Sequence, residues 1–252
     1  MKKIALVTGA TSGIGKATAE ILAENGYDLI ITGRRTVLLE DLKKALGVKY
    51  KCDVLSLNFD IRCREHVETA IDHLPATWKK ISVLVNNAGL ASGLDLIQNG
   101  STDDWDRMID TNVKGLLYIT RKVAALMMEA KSGHIVNITS IAAKEVYEKG
   151  NVYCATKHAV DALTEGMRID LLPYGVRVTS IAPGMVNTEF STVRFKGDRE
   201  RADKVYEGLI PLCAGDVADA VWFAVSRPAH VNINDMLIMP AAQANATIAY
   251  RK

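Results

Sequence analysis

A phenol and an ammonium group stand four residues apart in Tyr153-Cys154-Ala155-Thr156-Lys157. On a helix this spacing puts both side chains on one face, one turn from each other. A neighbouring cation stabilises a phenolate and lowers the tyrosine pKa from about 10 toward the working pH. Tyr153 is therefore predicted to be a general acid for a carbonyl or a general base for an alcohol. The same spacing also occurs on ordinary amphipathic helices, so the surroundings of Tyr153 must decide.

Hydroxyl side chains follow a strand that precedes this tyrosine. The apolar run His134–Ile138 predicts a buried strand, and Thr139 and Ser140 stand at its carboxyl end. In open α/β sheets, ligands bind outside the carboxyl ends of the strands. Ser140 is therefore placed where it could meet the same ligand as Tyr153, which favours the catalytic interpretation of the tyrosine.

A glycine-rich turn joins the first predicted strand, Ile4–Val7, to a helical segment. It reads Thr8-Gly9-Ala10-Thr11-Ser12-Gly13-Ile14-Gly15, one residue wider than the G-x-G-x-x-G form. Glycines at such a turn let the backbone approach a pyrophosphate, which then sits at the positive end of the helix. The strand before and the helix after indicate a dinucleotide site, with a purely structural tight turn as the alternative.

Two arginines follow the second predicted strand, in Thr32-Gly33-Arg34-Arg35. A carboxylate at this point would hold the ribose 2′-hydroxyl of NAD, whereas arginine suits a 2′-phosphate. Guanidinium donors match phosphate oxygens in a fork. We therefore expect NADP as the cofactor. The alternative is a pair of solvated arginines at a strand end.

Five motifs in one order are similar to the short-chain dehydrogenase/reductase family, from residue 2 to about residue 190. They are Thr8–Gly15, Asn86-Asn87-Ala88-Gly89, Asn112 with Ser140, Tyr153 with Lys157, and Pro183-Gly184 followed by Thr188. The resemblance implies that Ser140 polarises the substrate oxygen and that Tyr153 exchanges the proton. It implies that Lys157 binds the nicotinamide ribose and lowers the tyrosine pKa, and that Asn112 holds a water linking Lys157 to solvent.

The same resemblance implies where the cofactor lies. Asn87, Ala88 and Gly89 would line the adenine ribose, Asp60 with Ile61 would border the adenine ring, and Thr188 would contact the nicotinamide carboxamide. The complete set of expected cofactor residues is Gly9, Thr11, Ser12, Gly13, Ile14, Gly15, Arg34, Arg35, Asp60, Ile61, Asn87, Ala88, Gly89, Tyr153, Lys157, Pro183, Gly184, Val186 and Thr188.

Within the family, the chain resembles the NADP-dependent 3-hydroxy acid dehydrogenases, including those that oxidise serine or allo-threonine and reduce malonic semialdehyde. Phe190–Asp198 and Pro228–Asn234 carry this part of the resemblance. The loop Ile141–Lys149 departs from it, being more charged than expected. Two alternatives stay open: an NADPH-dependent carbonyl reductase for a sugar or another ketone, and a dinucleotide-binding regulatory protein on the same fold. A regulatory protein would have no need of the full set of Asn112, Ser140, Tyr153 and Lys157.

A long segment after the sixth predicted strand is expected to act as a substrate lid, at about residues 188–210. Thr188–Arg201 shows no strand pattern, and long loops at the ligand end of a sheet often close over a site. Arg194, in mid-loop, is predicted to clamp the substrate carboxylate in a bidentate pair, beside Ser140 and Tyr153. The alternative is that Arg194 pairs with a nearby acid or a cofactor phosphate.

Short apolar runs alternate with helical segments along the whole chain. A strand buried on both faces reads as a continuous apolar run, and parallel strands need helical crossovers. We therefore predict one doubly wound Rossmann domain over residues 1–252, with helices on both faces of a seven-stranded parallel sheet. The seven runs are Ile4–Val7, Leu29–Thr32, Val54–Phe59, Val83–Val85, Ile135–Ile138, Val176–Ile181 and Met236–Met239.

One predicted helix is unusually long, from Ser101 to Lys131. Ser101-x-x-Asp104 predicts a capping box at its start, and Asn112, a poor residue inside a helix, predicts a kink. This helix and the one that carries Tyr153 show apolar residues over a broad arc. With the family resemblance, this predicts a homotetramer; a thick internal core is the alternative.

Composition limits the remaining functions. The 252 residues hold 31 Lys and Arg against 29 Asp and Glu, without the basic block that a phosphate backbone would require, so no nucleic-acid partner is expected. The apolar start ends at Thr8, too short for a signal peptide, and no run of about 18 apolar residues predicts a membrane span. The four cysteines form no CxxC pair and no zinc spacing. We expect a reduced, cytoplasmic enzyme without a metal.

Overall fold

The computed structural model describes residues 2–252, which form seven strands and nine α-helices. The strands are β1 Ile4–Val7, β2 Asp28–Gly33, β3 Val54–Asn58, β4 Ile81–Asn86, β5 Gly133–Ile138, β6 Val176–Pro183 and β7 Asp235–Ile238. The helices are α1 Gly13–Glu24, α2 Thr36–Tyr50, α3 Arg64–Asp72, α4 Thr102–Ile109, α5 Leu116–Glu129, α6 Asn151–Leu171, α7 Glu189–Arg194, α8 Arg199–Lys204 and α9 Ala214–Val225.

All seven strands belong to one parallel sheet, in the order β3-β2-β1-β4-β5-β6-β7. The chain builds outward from β1 to β3 and then returns to add β4 on the other side of β1. This reversal opens a crevice at the carboxyl ends of β1 and β4, which is where ligands bind in such sheets. The predicted seven-stranded, doubly wound Rossmann fold is confirmed.

Two apolar cores cover the two faces of the sheet. Along β1, Ala5 and Val7 point into one core, and Ile4 and Leu6 point into the other. Helices α1, α2 and α9 cover the first face, and α3 and α5 cover the second. Because successive strand residues face opposite sides, a strand covered on both sides must be apolar throughout. This is why continuous apolar runs predicted the strands so closely.

The long helical segment is interrupted where the sequence placed a kink. A π-helical turn, Asp110–Gly115, separates α4 from α5, and Asn112 lies within it. Such wide turns are frequent at functional sites. The predicted capping box at Ser101 is wrong, since the Ser101 side chain makes no capping hydrogen bond. Asp104 instead accepts a hydrogen bond from Ser92 and forms an ion pair with Lys196. These contacts with residues outside the helix take the place of the local cap.

The expected lid contains more regular structure than the sequence indicated. Two short helices, α7 and α8, occupy the part predicted to be a loop. Thr188 and Asp198 cap them with side-chain oxygens, which accept from the backbone N–H groups of Phe190 and Arg201. A helix of six residues is too short for its apolar period to be visible in sequence. None of the helices formed by residues 2–252 has the length and apolar character needed to cross a membrane.

Candidate active site

The glycine-rich turn after β1 folds as its sequence requires. Gly9 and Gly13 have φ values of +64° and +53°, a region that favours glycine. A Cβ on Gly15 would collide with the Asn87 amide and with the Gly9 carbonyl oxygen. Gly15 therefore packs behind the turn rather than lining the site, and it lets the turn approach the end of β4.

Thr8 and Asn87 hold this turn against the end of β4. The Thr8 hydroxyl oxygen accepts hydrogen bonds from the backbone N–H groups of Asn87 and Ala88, both at 3.0 Å. The Asn87 amide donates to the carbonyl oxygens of Thr8 and Gly9, at 2.9 and 3.1 Å. Two motifs far apart in sequence thus form one rigid wall of the crevice.

The two arginines after β2 lie at the same end of the sheet. Arg35 donates to the hydroxyl groups of Thr11 and Ser12, at 2.8 and 2.7 Å, and to the Glu189 carboxylate at 2.9 Å. Arg34 lies 3.9 Å from Asp60, whose closer partner is Arg62 at 2.7 Å. Both guanidinium groups are about half exposed and can therefore turn toward an anion.

Ser140, Tyr153 and Lys157 meet at the carboxyl end of β5. Ser140 begins a short 3-10 turn, Ile141–Ala143, and its hydroxyl accepts from the Ala142 N–H at 3.1 Å. Tyr153 and Lys157 lie one turn apart on α6, and the Lys157 ammonium is 6.0 Å from the centre of the Tyr153 ring. Lys157 donates to the Ile138 carbonyl oxygen at 2.9 Å, and this single contact leaves it two further N–H groups.

The expected lowering of the Tyr153 pKa is not found in this structure. Burial, the dominant cause, raises the pKa of Tyr153 well above its usual value; the Tyr147 phenol adds to the rise, and the Ser140 hydroxyl and the Arg194 charge oppose it. Burial also lowers the pKa of Lys157 to about 8. A low-dielectric site disfavours the charged form of each group. The raised pKa favours the neutral phenol of Tyr153, which is the form that can donate a proton to a carbonyl.

Asn112 links helix α6, which carries Tyr153 and Lys157, to the loop that follows β4. Its amide oxygen accepts from the Leu90 N–H at 2.8 Å, and its nitrogen donates to the Leu90 carbonyl oxygen and to Thr156, at 2.8 and 3.0 Å. A Cβ on Gly89 would lie 3.3 Å from the Asn112 oxygen and 3.7 Å from the Lys157 nitrogen. The π-helical turn thus places the Asn112 amide and the Lys157 ammonium on either side of the same glycine, Gly89.

One cavity of about 610 Å³ brings these groups together. Of the expected cofactor residues, all but Gly15 line it, as do Ser140 and Arg194; Asn112 stands behind its wall. Its lining thus contains the groups expected to hold a dinucleotide. Thr111 places a buried hydroxyl in its wall that has no hydrogen-bond partner within residues 2–252. The two remaining N–H groups of Lys157 could serve a ribose diol.

Arg194 lies on α7 with its guanidinium inside the cavity. It donates to the Tyr147 hydroxyl at 2.8 Å and to the Gly93 carbonyl oxygen at 3.3 Å, and its charged carbon is 5.5 Å from the centre of the Tyr153 ring. Three of its five N–H groups make no hydrogen bond within the described chain. Arg194 is thus a partly buried cation with free N–H groups beside the Tyr153 phenol. Such a group is suited to bind a small anion.

Four further residues of the cavity wall had no signal in the sequence. Tyr147 belongs to a loop without periodicity, and Thr111 to a helix whose widened turn could not be foreseen. Glu189 meets Arg35 across the cavity, and the Gln243 amide oxygen accepts from the Met185 N–H at 2.8 Å. Tyr147, Glu189 and Gln243 are placed by contacts between segments distant in sequence.

Comparison with known proteins agrees with this geometry. The family described as short chain dehydrogenase matches residues 3–199. The chain is 48% identical over 250 residues to an NADP-dependent 3-hydroxy acid dehydrogenase of Salmonella typhi, covering 99% of each. It is 42% identical over 250 residues to sulfoacetaldehyde reductase 2 of Chromohalobacter salexigens, covering 99% of this chain and 98% of that protein.

A solved structure shows the same similarity in three dimensions. The closed form of a serine dehydrogenase complexed with NADP+ superposes with a TM-score of 0.93 at 45% identity, covering 99% of both chains. The family match spans most of the chain, and these relatives align over its whole length. The chain therefore belongs to the short-chain dehydrogenase family.

Proposed function

We propose that the protein is an NADP-dependent oxidoreductase that interconverts a small 3-hydroxy acid and its semialdehyde. Serine, allo-threonine and 3-hydroxypropionate are the expected alcohols, and malonic semialdehyde an expected carbonyl substrate. One observation carries the proposal: the open guanidinium of Arg194 stands 5.5 Å from the ring of Tyr153 inside one cavity. A substrate whose anionic group binds Arg194 and whose reacting oxygen meets Tyr153 must therefore have only a short carbon chain between the two. The 3-hydroxy acid dehydrogenase and serine dehydrogenase relatives support it.

The residues of the chain divide the chemistry among them. Ser140 donates a hydrogen bond to the substrate oxygen, and Tyr153 gives it a proton during reduction or takes one during oxidation. Lys157 holds the cofactor ribose with its two open N–H groups. NADP, when bound, supplies or accepts the hydride. The glycine-rich turn and the β4 loop hold the cofactor, which leaves the substrate between it, Ser140 and Tyr153.

The Arg194→Ala variant tests the substrate class. We expect it to lower kcat/KM for 3-hydroxypropionate by about 10²-fold, because a buried charge-assisted pair contributes roughly 1.5–3 kcal/mol. The methyl ester of the same acid carries no charge, so its kcat/KM should change by less than about threefold. Steady-state rates of NADP reduction with the acid and with the ester measure both effects.

Arg64→Ala is the matched control, since Arg64 on α3 is exposed, pairs with Glu65 and does not line the cavity. If Arg194→Ala damages acid and ester equally, Arg194 does not recognise the carboxylate. Either another residue would then have to hold the carboxylate, or the substrate would be the sugar or other ketone of the alternative interpretation.

Cofactor preference depends on Arg34 and Arg35. Replacing both with Leu should raise KM for NADP by about 10²-fold, because two charge-assisted contacts to the 2′-phosphate are lost. KM for NAD, which has no 2′-phosphate, should stay within about twofold. Arg64→Leu is the control, as Arg64 is exposed and pairs only with Glu65. Wild-type enzyme that prefers NAD, or a double variant with unchanged NADP affinity, would contradict this assignment.

A second candidate substrate carries a sulfonate in place of the carboxylate. The open donors of Arg194 and the adjacent Tyr147 hydroxyl can serve sulfonate oxygens as well as carboxylate oxygens. The sulfoacetaldehyde reductase relative supports this possibility. A 2-hydroxyalkyl sulfonate has the same two-carbon spacing between hydroxyl and anion as 3-hydroxypropionate. Parallel assays of the two alcohols distinguish them.

We also propose that the enzyme is a cytoplasmic homotetramer. In the single chain, Leu117 on α5 and Ile169 on α6 remain exposed, as does Leu172 just after α6. Exposed apolar residues on the two long helices favour burial against further copies. All four cysteines are unpaired, which suits a reducing compartment. A light-scattering mass near the 27.5 kDa of one chain would contradict the tetramer.

A further inference from the structure

Lys144, the first charged residue of the loop between Ser140 and α6, holds this loop in place. Lys144 follows the 3-10 turn that Ser140 begins, and its N–H bonds to the Ile141 carbonyl oxygen at 2.9 Å. Its ammonium group donates to both carboxylate oxygens of Asp161, at 2.9 and 2.8 Å, and lies 3.0 Å from Asp235. The positive charge of Lys144, in the loop that departs from the expected pattern, is thus paired with carboxylates of the same chain.

Asp161 belongs to the helix that carries the catalytic tyrosine. On α6, Asp161 comes one turn after Lys157 and two turns after Tyr153, so all three share one helix face. The contact between Lys144 and Asp161 therefore links the turn of Ser140 directly to the face of Tyr153.

A second path reaches the same carboxylate from the other side of Ser140. The Ser180 hydroxyl oxygen on β6 lies 3.4 Å from Asp161 and 2.9 Å from the Thr139 hydroxyl oxygen. Thr139 directly precedes Ser140. The residues on both sides of Ser140 are consequently connected to Asp161, one through Lys144 and the other through Ser180.

This ion pair differs from the surface pairs of the same chain. The side chains of Lys144 and Asp161 are 28% and 19% exposed, whereas those of Lys204 and Glu200 on α8 are 64% and 81% exposed. Exposed pairs contribute little because water screens them. Burial opposes the charge of Lys144, but the two carboxylates outweigh it and raise the pKa of Lys144 above its usual value.

We propose that Lys144 is a positioning residue, which fixes the distance between the Ser140 hydroxyl and the Tyr153 phenol through its bond to Asp161. The inference rests on the proposed function, since it concerns the two groups that meet the substrate oxygen. Small displacements of catalytic groups are costly, as an error of about 1 Å can lower a rate by about 10²-fold. The alternative is that Lys144 only adds stability to the loop.

The test is a double-mutant cycle between Lys144 and Ser140. We expect Lys144→Met to lower kcat/KM by about tenfold in the wild-type background and by less than about twofold in a Ser140→Ala background. Lys144→Arg should recover most of the activity, because arginine can also bond both oxygens of Asp161. The Kd for NADPH, measured by fluorescence, should stay within about twofold in every variant. Lys43→Met is the matched control, since Lys43 pairs with Glu40 on α2 and does not line the cavity, and it should leave kcat/KM unchanged.

A loss of the same size in both backgrounds, or no loss at all, would overturn the proposal. If Lys144→Met does not fold, as judged by circular dichroism, Asp161→Asn replaces it in the same cycle with the same expectations. The cycle can be run with whichever alcohol or carbonyl compound the wild-type enzyme turns over. A wrong substrate class would therefore appear in the wild-type rates, whereas a wrong role for Lys144 would appear only in the cycle.

Discussion

The Tyr153→Phe variant is expected to turn over its substrate at least about 10²-fold more slowly than the wild-type enzyme. Of the three phenols that line the cavity, Tyr153 alone shares a helix face with Lys157. The Tyr147 hydroxyl accepts from Arg194, and the Tyr206 hydroxyl donates to the Val186 carbonyl oxygen at 2.8 Å. Phenylalanine keeps the ring that packs against Phe190, with ring centres 5.6 Å apart, so the fold should be unaffected.

This prediction is checked by measuring kcat/KM together with the Kd for NADPH. The Kd should change by less than about threefold, because the ring and the cavity wall remain. Tyr174→Phe is the control, since Tyr174 lies in a turn away from the cavity. Activity of Tyr153→Phe within about tenfold of wild type would rule out Tyr153 as the proton donor.

The Lys157→Met variant should lose activity and gain stability at the same time. Activity should fall by about 10²-fold, because the cofactor ribose loses its ammonium partner and Tyr153 loses the neighbouring positive charge. Stability should rise, because Lys157 is buried with one hydrogen bond and its pKa is lowered to about 8. A lysine of ordinary pKa holds its proton up to about 10.4.

The gain depends on pH in a defined direction. Below pH 8 both the folded and the unfolded chain hold the proton on Lys157, and the folded chain bears the full cost of the buried charge. Between pH 8 and about 10.4 only the unfolded chain keeps the proton, so wild-type stability rises with pH. The advantage of Lys157→Met is therefore largest below pH 8, at most about 3 kcal/mol, and fades above it.

Thermal unfolding at several pH values, next to NADPH oxidation rates, measures both effects. Lys44→Met serves as the control for removing a lysine, because Lys44 is exposed on α2. A Tm for Lys157→Met below that of wild type at pH 7 would show that the buried ammonium stabilises the fold instead. Undiminished activity would remove Lys157 from the site.

Much of the fold could be predicted because burial on both faces of a sheet leaves a direct record in sequence. Val83–Val85 and Ile4–Val7 are apolar throughout for this reason, and the structure extends the former to Ile81–Asn86. Asn112 signalled a break in the long helix since an amide competes for backbone hydrogen bonds. The kind of break, a π-helical turn, depends on Leu90 and Thr156, which are far away in sequence.

The sequence predicted which residues come together at the site better than it predicted how deeply they are buried. The glycine-rich turn, Ser140, Tyr153 and Lys157 carry recognisable spacing, but spacing contains no information on burial, which controls the pKa of Tyr153. Tyr147 was missed because its partner, Arg194, lies 47 residues away. Asp104 was assigned to a local cap for the same reason: its true partners, Ser92 and Lys196, become neighbours only after folding.

The most direct test of the proposed function compares substrates and cofactors in the wild-type enzyme. Initial rates should be measured for 3-hydroxypropionate, serine and allo-threonine, for a 2-hydroxyalkyl sulfonate, and for neutral alcohols that include a sugar alcohol, each with NADP and with NAD. We predict that kcat/KM for a 3-hydroxy acid with NADP exceeds that for every neutral alcohol by at least about tenfold, because only an anion engages Arg194, and exceeds the value with NAD by a similar factor. A neutral alcohol oxidised faster than every 3-hydroxy acid, or a preference for NAD, would contradict the account.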